Sequence, residues 1–302
     1  MEESIIANIS YNKPTKDDIA VGFAMFNYTG SSRIIMNYLY TVEKMKTAGI
    51  PVFTIELVIK GSKPTIQDAF HVYGTSYLFQ KENLFRILET KIPVNFSKLL
   101  FMDSDIIFGD PDWYDKLSVI LDTHDIAHCF ETALWLDITY RKIAMNAESY
   151  IKSTKKDILL WDPSQSKLYH SGFGWAFTRN WYNQAGFIDD AIIGSGDLIF
   201  SYGLFDEIYK GMQNLSFYKS SIKRWTETKG NPSITHLPVT IYHMFHGNLE
   251  KRQYETRNEI LEGVSDINDI IVKNHDGVFE LTDPSYNEIF YKYFTCRMDD
   301  SV

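Results

Sequence analysis

Cysteine, proline, positive charge and long apolar runs are all scarce in this chain, and each shortage removes a class of protein. Two cysteines in 302 residues, Cys129 and Cys296, cannot form a disulfide framework or an all-cysteine zinc site, and they point to a reducing compartment. Only nine prolines are present, with no Pro/Gly-rich linker, low-complexity tract or internal repeat to divide the chain. No window approaches the roughly 20 apolar residues of a membrane span. The start Met1-Glu2-Glu3-Ser4 lacks the basic region of a secretory leader, so the expected location is cytoplasmic. Thirty Lys+Arg face 39 Asp+Glu, a net charge of −9. That balance is opposite to the basic footprint of duplex-binding proteins, so a nucleic-acid partner is not expected.

Core-forming material is plentiful. The composition is 44% hydrophobic, 15% aromatic and 23% charged, which is that of a globular protein. A chain of this length buries ~74% of its unfolded surface. The run Ile19 to Phe26 is short and apolar and ends at the turn-forming Asn27-Tyr-Thr-Gly-Ser-Ser32, as a buried strand does. Apolar residues at helical spacing then run from about Arg33 to Ala48 and stop at Gly49, ahead of a β-rich run from Pro51 to Ile59. A second helix is expected over Lys81 to Thr90, ahead of the apolar strand Lys98 to Met102. This alternation predicts an α/β fold with a mostly parallel central sheet flanked by helices, whose ligands gather at the carboxyl ends of the strands. Residues 131–167 are weakly periodic and fit either an irregular insertion or a helical excursion. Later elements are a glycine-rich segment from His170 to Phe177, helices over Thr178 to Gln184 and Asp197 to Tyr209, a strand at about Val239 to Phe245, and a charged helix from Leu249 to Leu261.

The sharpest chemical feature is Leu99-Leu-Phe-Met-Asp103-Ser104-Asp105-Ile-Ile-Phe108, two carboxylates inside an apolar stretch. In extended backbone, residues i and i+2 point the same way, so Asp103 and Asp105 can share one hard divalent cation that offsets their repulsion. The competing reading is a turn in which both merely cap backbone groups.

An apolar strand ending in Asp-Ser-Asp about a hundred residues into such a chain resembles the DxD motif of GT-A glycosyltransferases. The segment His170-Ser-Gly-Phe-Gly-Trp-Ala-Phe177, followed by Gly194-Ser-Gly-Asp197, is similar to the galactosyltransferase-type pattern of a glycine-rich strand, a helix and Gly-Gly-Glu-Asp. The block His243-Met-Phe-His-Gly247 to Tyr254, with Arg257, resembles the late segment of bacterial and viral members. The resemblance implies a Rossmann-like catalytic domain over 1–302. About 19–108 would form its nucleotide-sugar-binding half, about 168–262 its acceptor and catalytic half, and 263–302 a C-terminal helical elaboration. It would lie in the host cytoplasm if the source is viral.

The resemblance further implies a UDP-linked or similar nucleotide-sugar donor, a glycan or glycoprotein acceptor, and a metal held by Asp103, Asp105 and a late histidine, His246 first and His243 second. Mn²⁺ (or Mg²⁺) suits such oxygen and imidazole ligands better than Ca²⁺ does. Asp197 is the implied general base of an inverting transfer, although Gly196 stands where relatives carry glutamate. Asn27, Lys81 and Ser104 are implied donor contacts, Lys251 and Arg252 would screen the diphosphate, and Trp175 would stack on an acceptor ring. Two alternatives stay open: a nucleotidyl or phosphoryl transferase using the same metal site, and a catalytically silent nucleotide- or carbohydrate-binding module. Asp103 and Asp105 lie too close together to flank a glycosidic bond, so a glycosidase ranks last.

Overall fold

The computed structural model describes residues 3–152, 169–205, 213–254 and 256–301. Strand β1 (Ile19–Met25) is followed by helix α1 (Ser32–Thr47), β2 (Val52–Ile59), β3 (Phe70–Gly74), α2 (Lys81–Glu89), β4 (Lys98–Met102) and β5 (Ile106–Phe108). Next come α3 (Trp113–Leu121), β6 (Ile126–His128), β7 (Thr132–Leu136), β8 (Ile143–Ser149), β9 (Tyr169–His170), β10 (Gly174–Thr178) and α4 (Arg179–Gln184). The chain continues through α5 (Gly196–Phe205), α6 (Lys219–Thr226), β11 (Ile234–His236), β12 (Thr240–His243), β13 (Ile271–Lys273), β14 (Phe279–Leu281) and α7 (Asn287–Cys296).

The main sheet has seven strands in the order β11-β6-β10-β4-β1-β2-β3, with β10 alone antiparallel to its neighbours. This is the α/β class with a mostly parallel sheet that the alternating pattern predicts. Side chains alternate across it as strand geometry requires. Leu99, Phe101, Trp175 and Phe177 pack with α2, α4, α5, α6 and α7 on one face. Val21, Phe23, Leu100 and Met102 pack with α1 and α3 on the other. A side chain is excluded at Gly22, where a Cβ would come within 2.5 Å of the Phe101 ring, so a glycine in β1 lets β4 bury its phenylalanine.

A second sheet, in the order β5-β12-β7-β8-β9, lies alongside. Residues 132–149 therefore form an antiparallel hairpin, neither irregular nor helical, and 153–167 of that expected insertion lie outside the described residues. The helix over Leu249 to Leu261 is also absent. Two short 3₁₀ turns, Leu249–Arg252 and Arg257–Leu261, flank Gln253, whose left-handed backbone (φ 53°) interrupts any continuous helix. The 263–302 segment holds the ribbon β13–β14 ahead of its one α-helix, and so is only partly helical. Helix α5 ends at Phe205 within the described residues, and the remaining part of the expected helix, 206–209, lies outside them. No helix among the described residues is long and apolar enough to cross a membrane.

Candidate active site

Asp103, Ser104 and Asp105 form the turn by which the chain leaves the large sheet and enters the small one. The Asp103 amide donates to Phe173 O at 2.8 Å, extending the β4–β10 pairing, while the Asp105 carbonyl accepts from the Met244 amide at 2.8 Å, beside β5 and β12. The switch bends the backbone, so the two carboxylates meet different partners instead of sharing one strand face. All three residues line a cavity of about 1200 Å³ at the carboxyl ends of β1 and β4, where open α/β sheets place ligands.

On the small-sheet side, Asp105 Oδ2 lies 3.1 Å from His246 Nε2 and 3.7 Å from His243 Nε2, and the two Nε2 atoms are 2.8 Å apart. These separations match the edges of a coordination polyhedron with bonds of ~2.1 Å. Asp105 Oδ1 and both Nδ1 atoms are buried without a hydrogen-bond partner. Burial chiefly, with help from Asp103, pushes the Asp105 carboxyl up to about 7, while Arg252 opposes it. Burial, aided by Arg252, holds His243 well below the ordinary imidazole range, keeping it neutral and able to ligate. Asp105 Oδ2 and the two Nε2 atoms converge, with both imidazoles buried, and one oxygen with two imidazole nitrogens is a donor set that fits a divalent transition-type cation.

On the large-sheet side, Lys81 opens α2 and its Nζ bridges Asp103 Oδ1 at 2.9 Å and Asp197 Oδ2 at 2.7 Å, with Glu82 Oε1 at 3.7 Å. Burial works against the ammonium, but the three carboxylates outweigh it and hold Lys81 well above the ordinary lysine range. Asp197 sits in the first turn of α5, with its pKa raised by burial and opposed by Lys81. Glu82 is buried and raised to about 8 by desolvation, again with Lys81 opposing. Its carboxyl explains the departure at position 196, because a Cβ on Gly196 would lie 2.2 Å from the Glu82 carboxyl carbon. The space a side chain would need there is already filled by Glu82.

The expected site residues divide accordingly. Asp103, Ser104, Asp105, His243, His246, Lys81, Asp197 and Asn27 all border the one cavity. Lys81 meets carboxylates, however, and the Asn27 amide is spent closing its own loop, donating to Ser31 O and accepting from the Ser31 amide, each at 2.9 Å. Trp175 is removed from any acceptor contact: it is 0% exposed, stacked on His128 with centroids 4.2 Å apart, and its Nε1 donates to Ser171 O. It is a core residue because it occupies a central strand whose two faces are both covered. Lys251 is exposed and lies off the cavity; its neighbour Arg252 turns inward, donating to His246 O at 3.1 Å and to Asp299 at 3.2 Å.

Several lining residues were not anticipated. Arg297 also reaches Asp299, at 3.4 Å, and the adjacent Asp300 accepts from Ser31 Oγ and from the Ser32 and Arg33 amides, so the end of the chain caps α1. Phe26, Tyr28, Phe79 and Phe294 form an aromatic wall, with Tyr28 and Phe294 centroids 4.8 Å apart. His170 is half-buried, stacked on Phe173, and accepts the Gly172 amide at Nδ1, and desolvation lowers it to about 4. Nothing local in the sequence marks Arg297, Asp299 or Phe294, because their role follows from the last helix folding back onto the first strand.

No family model and no curated protein sequence matches the chain. Among solved structures, 4-diphosphocytidyl-2C-methyl-D-erythritol synthase from Anaerococcus prevotii aligns at TM-score 0.33 and 10% identity, over 92% of this chain and 98% of that one. Mouse xyloside xylosyltransferase 1, in its apo form, aligns at TM-score 0.29 and 8% identity, over 80% of this chain and 99% of that one. Likeness at this level carries no chemistry over to this chain.

Proposed function

We propose that this chain is a metal-dependent glycosyltransferase that moves a sugar from a nucleoside-diphosphate donor to a hydroxyl acceptor on a glycan or glycoprotein, with inversion. One observation carries the reading: a buried Asp105–His243–His246 ligand set, a pair of inward arginines and a lysine-tethered carboxylate, Asp197, converge on a single cavity large enough for a nucleotide sugar.

A divalent ion, Mn²⁺ or Mg²⁺, held by Asp105, His243 and His246, with Asp103 close by, would supply positive charge for the departing diphosphate. The protein's own groups do the rest. Arg252 and Arg297 offer guanidinium donors to the phosphate oxygens. The Phe26–Tyr28–Phe79–Phe294 wall offers ring faces to the base. Asp197, whose pKa is raised by burial, accepts the proton of the acceptor hydroxyl as its oxygen bonds to the anomeric carbon. The anomeric carbon–oxygen bond to phosphate breaks, and its electron pair leaves with the nucleoside diphosphate. Lys81 holds Asp197 in place and keeps it ionised before attack. A single displacement of this kind inverts the anomeric centre.

The test is a screen of UDP-, GDP- and CMP-sugars with Mn²⁺, Mg²⁺ or EDTA, on wild type and Asp105→Ala together. Release of one nucleoside diphosphate (or, from a CMP-sugar, the monophosphate), lost on chelation and in the variant, supports the proposal. Pyrophosphate release from a nucleoside triphosphate and a sugar phosphate would replace it with nucleotidyl transfer. Metal-dependent nucleotide binding without turnover would replace it with a silent binding module.

A further inference from the structure

The cavity has four cationic side chains in its lining, and three of them are answered by carboxylates: Lys81 by Asp103 and Asp197, and Arg252 and Arg297 by Asp299. The fourth, Arg257, has no carboxylate partner among the described residues. Its Nη2 donates to Ser195 Oγ at 2.6 Å, its guanidinium lies 5.0 Å over the Tyr254 ring, and its Nε is buried with no hydrogen-bond partner. In a chain with nine more acids than bases, a half-buried arginine left without an acid is unusual, since a guanidinium taken from water needs a compensating anion.

The surroundings hold Arg257 in place. Its Nη1 comes 2.7 Å from where a Cβ on Gly194 would stand, so only glycine admits it there. Ser195 is one of few non-glycine residues with left-handed backbone (φ 69°), and this conformation presents its hydroxyl to the guanidinium. Strain kept at a cavity wall points to a function. The Arg257 guanidinium donates to Ser195, not to His246 or Asp299, the partners of Arg252 and Arg297. Ser195 precedes Asp197 by two residues, so Arg257 stands on the side of the cavity that carries the proposed base.

We infer that Arg257, steadied by Ser195 and Tyr254, binds an oxyanion on the acceptor, a sugar carboxylate or phosphate near the hydroxyl that attacks, so the preferred acceptor is an acidic sugar. The inference rests on the proposed function for Asp197's role, and its test is arranged to fail separately. With the donor identified, methyl glucoside, methyl glucuronide and glucose 6-phosphate are compared as acceptors for wild type, Arg257→Lys and Arg257→Met. In wild type, one or both acidic acceptors exceed the neutral one by about tenfold or more in kcat/KM. Arg257→Met erases that preference through acceptor KM, with a smaller change in donor KM, and Arg257→Lys restores part of it. The responding acid identifies carboxylate or phosphate. Equal use of neutral and acidic acceptors by wild type, or a larger rise in donor than in acceptor KM in Arg257→Met, overturns the inference. Calorimetric binding of methyl glucuronide and glucose 6-phosphate to Mn²⁺-loaded wild type and Arg257→Met gives a readout without turnover. Binding lost in the variant upholds the anion site even if no donor reacts, and absence of binding by wild type sinks it even if one does.

Discussion

Asp103 and Asp105 are one residue apart, yet they serve opposite walls of the same cavity. Asp103 belongs to the large sheet and meets an ammonium that it shares with Asp197. Asp105 belongs to the small sheet and meets two imidazoles across a buried gap. The first wall already holds a cation of its own, Lys81, which offsets part of its negative charge. The second brings one carboxylate oxygen and two imidazole nitrogens together and lacks a positive charge of its own, apart from Arg252 nearby. Two aspartates with nearly identical sequence surroundings thus acquire different chemistry from the sheet each one follows.

Removing the anionic ligand on the small-sheet side should have the largest effect. Asp105→Asn keeps the side-chain shape but loses the charge that would hold a cation between the histidines, and donor turnover should fall about 10²–10³-fold. Mn²⁺ titration followed by electron paramagnetic resonance should show weakened binding in step. Asp103→Asn should weaken Mn²⁺ binding much less, and equal losses in the two variants would return both carboxylates to one shared ion.

Breaking the large-sheet wall should register first as stability. Lys81→Met leaves Asp103, Asp197 and Glu82 facing one another without a cation, and loss of one partner from a buried ionic cluster costs about 3 kcal/mol or more, readable as a lower urea midpoint. Glu82 gives the pH signature. Burial raises its carboxyl to about 8, above the ordinary value of about 4.3, so the folded state binds that proton more tightly than the unfolded chain. Its contribution is full below about pH 4 and is lost as the pH rises toward 8. Glu82→Gln does not titrate, so its stability relative to wild type should climb between pH 5 and pH 8. A difference that stays flat across that range would show that Glu82 is ionised in the fold.

The sequence could be read where a local pattern dictates local structure. The strand, turn and helix from Ile19 to Ala48 and the apolar run ending at Asp103 need only periodicity and turn residues, and both appear in the structure. The pairing of His243 and His246 beside Asp105 was also anticipated. What could not be read depends on distant contacts. Whether Asp-Ser-Asp continues a strand or switches sheets is decided by β12, more than a hundred residues later. The identity of residue 196 is decided by Glu82, and the cap on α1 comes from Asp300. Trp175 failed as an acceptor contact for a related reason: alternation along β10 fixes which face it occupies, but the sequence does not show that helices cover that face.

Trp175→Phe separates the two roles for that residue. As a core tryptophan it should lose stability of about 1–3 kcal/mol through the cavity left behind and the lost bond to Ser171 O, with acceptor KM within about twofold of wild type. A large rise in acceptor KM at unchanged stability would restore it to the binding surface.

The smallest effect is expected at Lys251, and it tests the inward turn of Arg252. Lys251 follows the β12 histidines closely enough in sequence to reach a diphosphate, but its side chain is exposed and stands off the cavity, while Arg252 is held inward by His246 O and Asp299. The 3₁₀ turn at Leu249–Arg252 ends at a left-handed Gln253, so adjacent side chains there diverge and only one can face the phosphates. Lys251→Ala should therefore change stability by less than about 0.5 kcal/mol and leave donor KM within about twofold, whereas Arg252→Ala should raise donor KM at least about tenfold. The reverse order would mean that the turn presents its other face when the donor is bound.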